Sequence, residues 1–248
     1  MNVKKLTDIE ETLFVGWDFE KIYQRTEFEP MPWDYKTIIQ SYLSKEDRLL
    51  DMGTGGGEFL LSLDHPYDLT TVTESYPPNL ALCKEKLVPL GITLHENELN
   101  RLTIPKEGDF SIIINRHDDY DPFEVYQGLT DDGYFITQQV GGLNNHLLSQ
   151  KLLGGPNKNF SENEWDLAHA ISDIKAAGFD ILFADEVMST VKYFDLETLV
   201  AYASIIKWEF PGFKVSNNIE ELKNIEEEIK RNGFVEGQEH RFIIVAKK

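Results

Sequence analysis

The stretch richest in chemistry is Asp51-Met52-Gly53-Thr54-Gly55-Gly56-Gly57-Glu58, four glycines in eight residues behind the apolar pair Leu49-Leu50. Glycine lets a ligand approach backbone N–H groups with no Cβ in the way, and a helix starting after the loop aims its free N–H groups at the same point. A nucleotide-bearing cofactor suits that geometry. The dinucleotide fingerprint G-x-G-x-x-G breaks here, because Glu58 stands where its third glycine belongs, and no Walker lysine follows. Asp51 sharpens the choice further. A carboxylate two residues ahead of the first glycine opposes a pyrophosphate but attracts a cofactor carrying an ammonium and a sulfonium group.

S-adenosylmethionine is such a cofactor. Glu74 follows Gly53 at about the twenty-residue distance where an acid can accept hydrogen bonds from ribose hydroxyls, a feature that NAD would share. These residues need a scaffold, and the chain alternates strand-like and helix-like segments. Short apolar runs at 49–52, 69–74, 92–96, 110–115 and 134–140 read as buried parallel strands. Leu80, Cys83, Leu87 and Leu90 recur at helical spacing behind Pro77-Pro78, with Gly91 as the stop. Asp121-Pro122-Phe123-Glu124 and Ser161-Glu162-Asn163-Glu164 carry capping-box patterns, the second ahead of Leu167, Ile171 and Ile174 and a stop at Gly178. Beyond Gly178 the sequence predicts a long strand at 181–194, a helix capped by Asp195, another through Ile219, Leu222, Ile225 and Ile229, and a final strand at 241–246. The fold class is therefore α/β, a doubly wound and mostly parallel sheet with helices on both faces and a helical insertion before the last strand.

The run Asp51 to Gly57, with Glu74 at the next strand end, resembles the class I (Rossmann-like) S-adenosylmethionine-dependent methyltransferases. The likeness continues through Glu98-Leu99, Arg101-Leu102-Thr103-Ile104-Pro105, the strand opening at Asp109-Phe110, and Gly133-Tyr134-Phe135-Ile136; it covers 48–140 well and the tail by architecture. It implies a seven-stranded sheet whose last strand is antiparallel, in a single domain of residues 1–248: an N-terminal helical lid at 1–46, the cofactor-binding core at 47–142, and a tail of substrate-side helices and last strands at 143–248. It implies that Asp51 and the backbone of Gly53, Thr54, Gly55 and Gly57 hold the methionine part of the cofactor, and that Glu74 takes the ribose. Glu98 would accept from the adenine amine, the Leu99 N–H would meet the ring, and Asn115 would line the space beside the sulfonium.

Methyl transfer from a sulfonium is an in-line displacement with a good leaving group, so positioning and water exclusion supply much of the rate. Where the acceptor must lose a proton, His117 in the stretch Asn115-Arg116-His117-Asp118 is the candidate base, with a solvated loop histidine as the alternative. That stretch lacks the Asp/Asn-Pro-Pro-aromatic motif of amine-methylating nucleic-acid enzymes, and Cys83, at an apolar helical position, is core rather than a nucleophile. Upstream aromatics, Trp17, Tyr23, Phe28, Trp33 and Tyr35, read either as a lid in which Trp33 and Tyr35 touch substrate or as packing against the sheet edge. Gln139, at the end of the fifth strand, either bonds the acceptor or satisfies a neighbouring loop.

Composition narrows the partners. With 24 basic and 43 acidic residues the formal charge is −19, which repels nucleic acid and anionic membrane and points to a small-molecule acceptor. A single cysteine excludes an intrachain disulfide and a cysteine-rich zinc module, no metal ligands are assigned, and no segment reads as a membrane span or export signal, so the cytoplasm is the expected location. The competing readings are transfer to RNA or protein, an S-adenosylmethionine sensor without catalysis, and an NAD-dependent oxidoreductase. Oligomeric state, the acceptor and its nucleophilic atom are not encoded in any motif.

Overall fold

The computed structural model describes residues 1–12, 19–98, 103–105, 108–156 and 165–248. In chain order the elements are α1 (Val3–Glu10), α2 (Glu20–Tyr23), β1 (Thr26–Phe28), α3 (Tyr35–Tyr42), β2 (Leu49–Met52), α4 (Glu58–Ser62), β3 (Thr70–Glu74), α5 (Pro77–Lys86) and β4 (Thr93–Glu96). There follow β5 (Phe110–Arg116), α6 (Pro122–Gly128), β6 (Leu129–Val140), α7 (His146–Leu153), α8 (Leu167–Ala176), β7 (Asp180–Tyr193), α9 (Leu196–Ile205), α10 (Ile219–Asn232) and β8 (Val235–Lys247). The strand order is β1-β7-β8-β6-β5-β2-β3-β4. Among the described residues no helix is long and apolar enough to cross a membrane.

The chain folds as two compact units, 32–139 with 165–186 and 242–248, and 1–31 with 140–164 and 187–241. In the larger unit β2, β3, β4, β5 and β6 pair in parallel. Strand β8 runs against β6, since Lys248 N–H donates to the Gly133 carbonyl while Gly141 N–H donates to that of His240. Both faces of this unit's sheet are covered. Leu49, Val72, Ile112, Ile114, Ile243 and Val245 pack on one side with Tyr35, Leu60, Cys83 and Leu87. On the other side Leu50, Met52, Ile113, Phe135, Phe242 and Ile244 pack with Val125, Ala170 and Ile174. This is why the strands are near-continuous apolar runs rather than alternating ones.

The smaller unit packs Leu6, Leu148, Leu152, Val191, Tyr193, Leu199, Phe210, Leu222 and Ile225 into its own core. Its edge strand β1 makes the sheet eight-stranded rather than seven: Thr26, Glu27 and Phe28 pair antiparallel with Tyr193, Lys192 and Val191. Three half-exposed or exposed residues carry no apolar run, so nothing in the sequence marked them as strand.

Several boundaries move for identifiable reasons. Helix α5 ends at Lys86 and gives way to a tight 3-10 turn at Val88–Leu90, because Pro89 has no N–H to donate to the α-helical ladder. Gly91, at φ 99°, closes that turn. Strand β6 starts at Leu129, opposite Phe110, with an irregularity between Phe110 and Ile112 that absorbs the extra residues. Asp121 and Asp195 cap α6 and α9 through side-chain bonds to Phe123 N–H and Thr198 N–H. The 161–164 capping pattern lies outside the described residues; α8 is capped by Asp166, which accepts from His169 N–H at 2.9 Å.

Candidate active site

In the larger unit the chain order reverses at the neighbouring strands β2 and β5, which place Asp51 beside Ile114 and Met52 beside Asn115. Open α/β sheets bind ligands outside the carboxyl ends of the strands at such a switch point. The turn leaving β2 lies there, and Gly53, Gly55 and Gly57 all adopt left-handed φ, 65°, 64° and 82°. Gly53 N–H donates to the Thr73 hydroxyl at 3.2 Å, Thr54 N–H to the Thr73 carbonyl at 3.1 Å and Gly55 N–H to Glu74 Oε2 at 2.9 Å, so β3 holds the loop in shape.

Asp51 is 5% exposed at the base of this turn. Burial pushes its carboxyl up to about 7, with the charges of Asp118 and Glu74 adding to the rise and the Thr54 hydroxyl and Arg116 opposing it. A buried acid poised at that value gains most from a ligand that brings a positive charge. Arg116 is exposed, with its guanidinium carbon 4.5 Å above the Phe59 ring.

Glu74, 6% exposed, is occupied by the protein itself. Oε1 accepts from the N–H groups of Ser75 and Tyr76 at 2.8 Å, while Oε2 accepts from Gly55 N–H and from Asn79 Nδ2 at 3.1 Å. These donors fill the roughly four acceptor positions of a carboxylate, so Glu74 ties the glycine loop to the start of α5. Cys83 is buried in the core; its thiol, pushed up to about 12 by burial, lies 3.3 Å from the Gly55 carbonyl.

At the end of β5, Asn115 is fully buried and its Oδ1 accepts from Gln139 Nε2 at 2.5 Å and from the Thr137 hydroxyl at 3.3 Å. Gln139 Nε2 also reaches the Thr137 hydroxyl at 2.9 Å and the Asp118 carbonyl at 3.2 Å, so this amide braces the loop after β5. The hydroxyl of Tyr35 lies 2.9 Å from the Asn115 carbonyl and 3.2 Å from that of Ile136, and its ring stacks on Phe59 at 5.3 Å; it ties α3 to β5 and β6. Trp33 Nε1 donates to Gln138 Oε1 at 2.8 Å. Indole is a donor only, so the Gln138 amide must turn its Nε2 toward His117 Nε2, 3.3 Å away, which then accepts in the neutral form. His117 is exposed and left-handed at φ 63°.

Glu98 is exposed, just beyond β4, and Leu99 and Trp17 lie outside the described residues. The structure thus brings together Asp51, the glycine loop, Glu74, Asn115, Gln139, Trp33, Tyr35 and His117. It also adds a residue that no motif singled out. Asp118 lies against the first glycine: a Cβ built at Gly53 would stand 2.6 Å from its Cγ and collide with Oδ2. Burial pushes its carboxyl up to about 6, with Glu74 and Asp119 contributing.

Three buried amide atoms in this unit have no hydrogen-bond partner among the described residues: Asn115 Nδ2, Asn79 Oδ1 and Asn97 Nδ2. Asn79 sits on the first turn of α5, beside Glu74, and Asn97 follows β4, its N–H on the Glu74 carbonyl at 2.9 Å.

Solved structures share this architecture. A functionally unknown protein from Deinococcus radiodurans R1 superposes with a TM-score of 0.59 at 13% identity, over 89% of this chain and 90% of its own. A provisionally named methyltransferase from Bacillus halodurans C-125 gives 0.55 at 13% identity, over 87% and 98%. The YcgJ protein of Bacillus subtilis gives 0.53 at 16% identity, over 86% and 97%. No family model matches the sequence, and no curated protein matches it. The chain shares the Rossmann-like α/β fold of these structures.

Proposed function

We propose that this protein transfers a methyl group from S-adenosylmethionine to a small-molecule acceptor. The observation that carries the reading is Asp51, a buried carboxyl raised to about 7 beneath left-handed glycine turns at the switch point of the sheet. A pyrophosphate brought there would face Asp51, Glu74 and Asp118 with Arg116 as the opposing cation, whereas an ammonium and a sulfonium are attracted by that balance. The bound cofactor supplies the electrophilic methyl carbon.

In this reading Asp51 and the loop N–H groups hold the methionine part, and Asn115 flanks the sulfur. Glu74 reaches a ribose hydroxyl by exchanging one of its present donors. Trp33, Gln138 and His117 form a hydrogen-bonded chain toward the loop after β5, in which His117 is the candidate base. The formal charge of −19 supports a small acceptor over RNA.

Calorimetry with S-adenosylmethionine, S-adenosylhomocysteine, NAD and NADP tests the cofactor. The expected result is binding of the first two alone, and binding restricted to a dinucleotide overturns the reading. Because a proton on Asp51 competes with a cationic ligand, affinity is expected to fall as pH drops through about 7. Radiolabelled methyl transfer into metabolite, RNA and protein fractions then tests the acceptor class; cofactor binding with no transfer to any fraction favours a sensor.

A further inference from the structure

The acids around the glycine turn are not equivalent. Glu74 spends both oxygens on Gly55, Ser75, Tyr76 and Asn79, and Asp51 lies 5% exposed beneath the loop. Asp118 differs from both: it is half-buried, on the loop after β5, with its side chain laid on the Cα of Gly53. Its position is built. His117 takes a left-handed φ of 63° and gives its N–H to the Gln138 carbonyl at 3.0 Å, which folds the chain back over the turn. Gln139 then clasps the Asp118 carbonyl at 3.2 Å while its amide is held by Asn115 and Thr137. A Cβ at position 53 would force that side chain to shift.

Two charges distinguish the donor of a methyl transfer from ordinary nucleosides, the ammonium and the sulfonium, and one of them vanishes on transfer. The S–C bond breaks, its electron pair stays on sulfur, and a neutral thioether is left with the ammonium unchanged. An acid that faces the ammonium treats donor and product alike. An acid that faces the sulfur separates them. Resting on the donor reading above, we propose that Asp118 reads the charge on sulfur, so that the site retains S-adenosylmethionine and lets S-adenosylhomocysteine go. Asp51, at the base of the loop, serves the shared ammonium. The charged groups facing Asp118 are Glu74 and Asp119, which repel its anion, while the Asp119 N–H favours it; Asp51 lies close enough to be raised in turn by Asp118, and Arg116 opposes that rise.

The test is the ratio of affinities for S-adenosylmethionine and S-adenosylhomocysteine, by calorimetry at pH 8, in the wild type, Asp118→Asn and Asp118→Glu. The wild type is expected to prefer the donor, and Asp118→Asn to lose about tenfold in donor affinity with less than a twofold change for the product, as expected for removal of one partly screened charge. Asp118→Glu, which keeps the charge, restores most of the preference. In the wild type the ratio falls as pH drops through about 6, whereas in Asp118→Asn it is flat, because protonation of Asp51 weakens both ligands equally. Equal losses for both ligands in Asp118→Asn, or no loss for either, overturn the proposal. If the wild type binds neither ligand, the donor reading itself falls, a result distinct from either of those.

Discussion

Asp51 in the larger unit and Glu209 in the smaller are both carboxyls removed from water, at 5% and 6% exposure, and both are raised by burial. Their surroundings differ in kind. Glu209 Oε1 accepts from Asn144 Nδ2 at 2.7 Å and Oε2 from Asn145 Nδ2 at 2.8 Å, with the Tyr202 hydroxyl at 3.4 Å and the Ser149 hydroxyl on its backbone carbonyl at 2.7 Å. Nearby Arg241 pairs with Glu239 at 2.6 Å and adds a favourable charge to Glu209. That network is closed by the protein and serves to pin the segment 141–149 to the turn after α9. Asp51 is favoured by the Thr54 hydroxyl and Arg116, while its neighbours Glu74 and Asp118 worsen its position. A buried acid enclosed by protein amides reads as architecture, and one at a strand end beside two further acids reads as a place suited to a cation.

Breaking the closed network carries the largest expected effect on stability. Glu209→Ala leaves the amides of Asn144 and Asn145 without their acceptor and should lower unfolding free energy by about 3–5 kcal/mol, read by urea denaturation at pH 7.5. Asp51→Asn is expected to act in the opposite direction. The folded carboxyl sits at about 7 against an ordinary 3.8, so the folded state binds the proton more tightly and wild-type stability falls as pH rises from about 4 to 7. The variant lacks that loss and should be more stable at pH 8, by at most about 4 kcal/mol, while binding S-adenosylhomocysteine at least about a hundredfold more weakly. Thermal melts at pH 5 and pH 8 check the sign; a variant no more stable at the higher pH dissolves the contrast with Glu209.

Smaller changes sharpen the same comparison. Gly53→Ala should cost about 1–3 kcal/mol, since it combines a left-handed φ of 65° with a collision at Asp118, and the Gly53→Ala, Asp118→Ala double variant should recover part of it. Glu74→Gln removes the charge that four donors share and should cost about 1–2 kcal/mol in a chemical melt. Trp33→Phe deletes one half-buried hydrogen bond to Gln138 and should change stability by less than about 1 kcal/mol.

Legibility tracked how local each signal was. The strand, the glycine turn and Asp51 stand within nine residues, 49–57, so they could be read in order along the chain. The caps at Asp121 and Asp195 were equally local. Glu74 was found at its spacing, but its occupation by Gly55, Ser75, Tyr76 and Asn79 was not, because that requires α5 folded back against the loop. Tyr35 and Gln139 each carry two readings in the sequence, substrate contact or local packing; the bonds they make to β5, β6 and the following loop depend on strands that are distant in sequence. Asp118 carries no local motif, because what it packs against is Gly53, 65 positions away in sequence.

Sequence by itself determined most of the strands and helices and the glycine turn after β2, since hydrophobic period, caps and glycine act over a few residues. Tertiary structure alone decided how each acid is spent. Whether a carboxylate is enclosed by amides, met by a hydroxyl or laid against a glycine depends on donors and backbone brought in from distant segments, and the pairing of parallel strands sets those neighbours only once the sheet has formed.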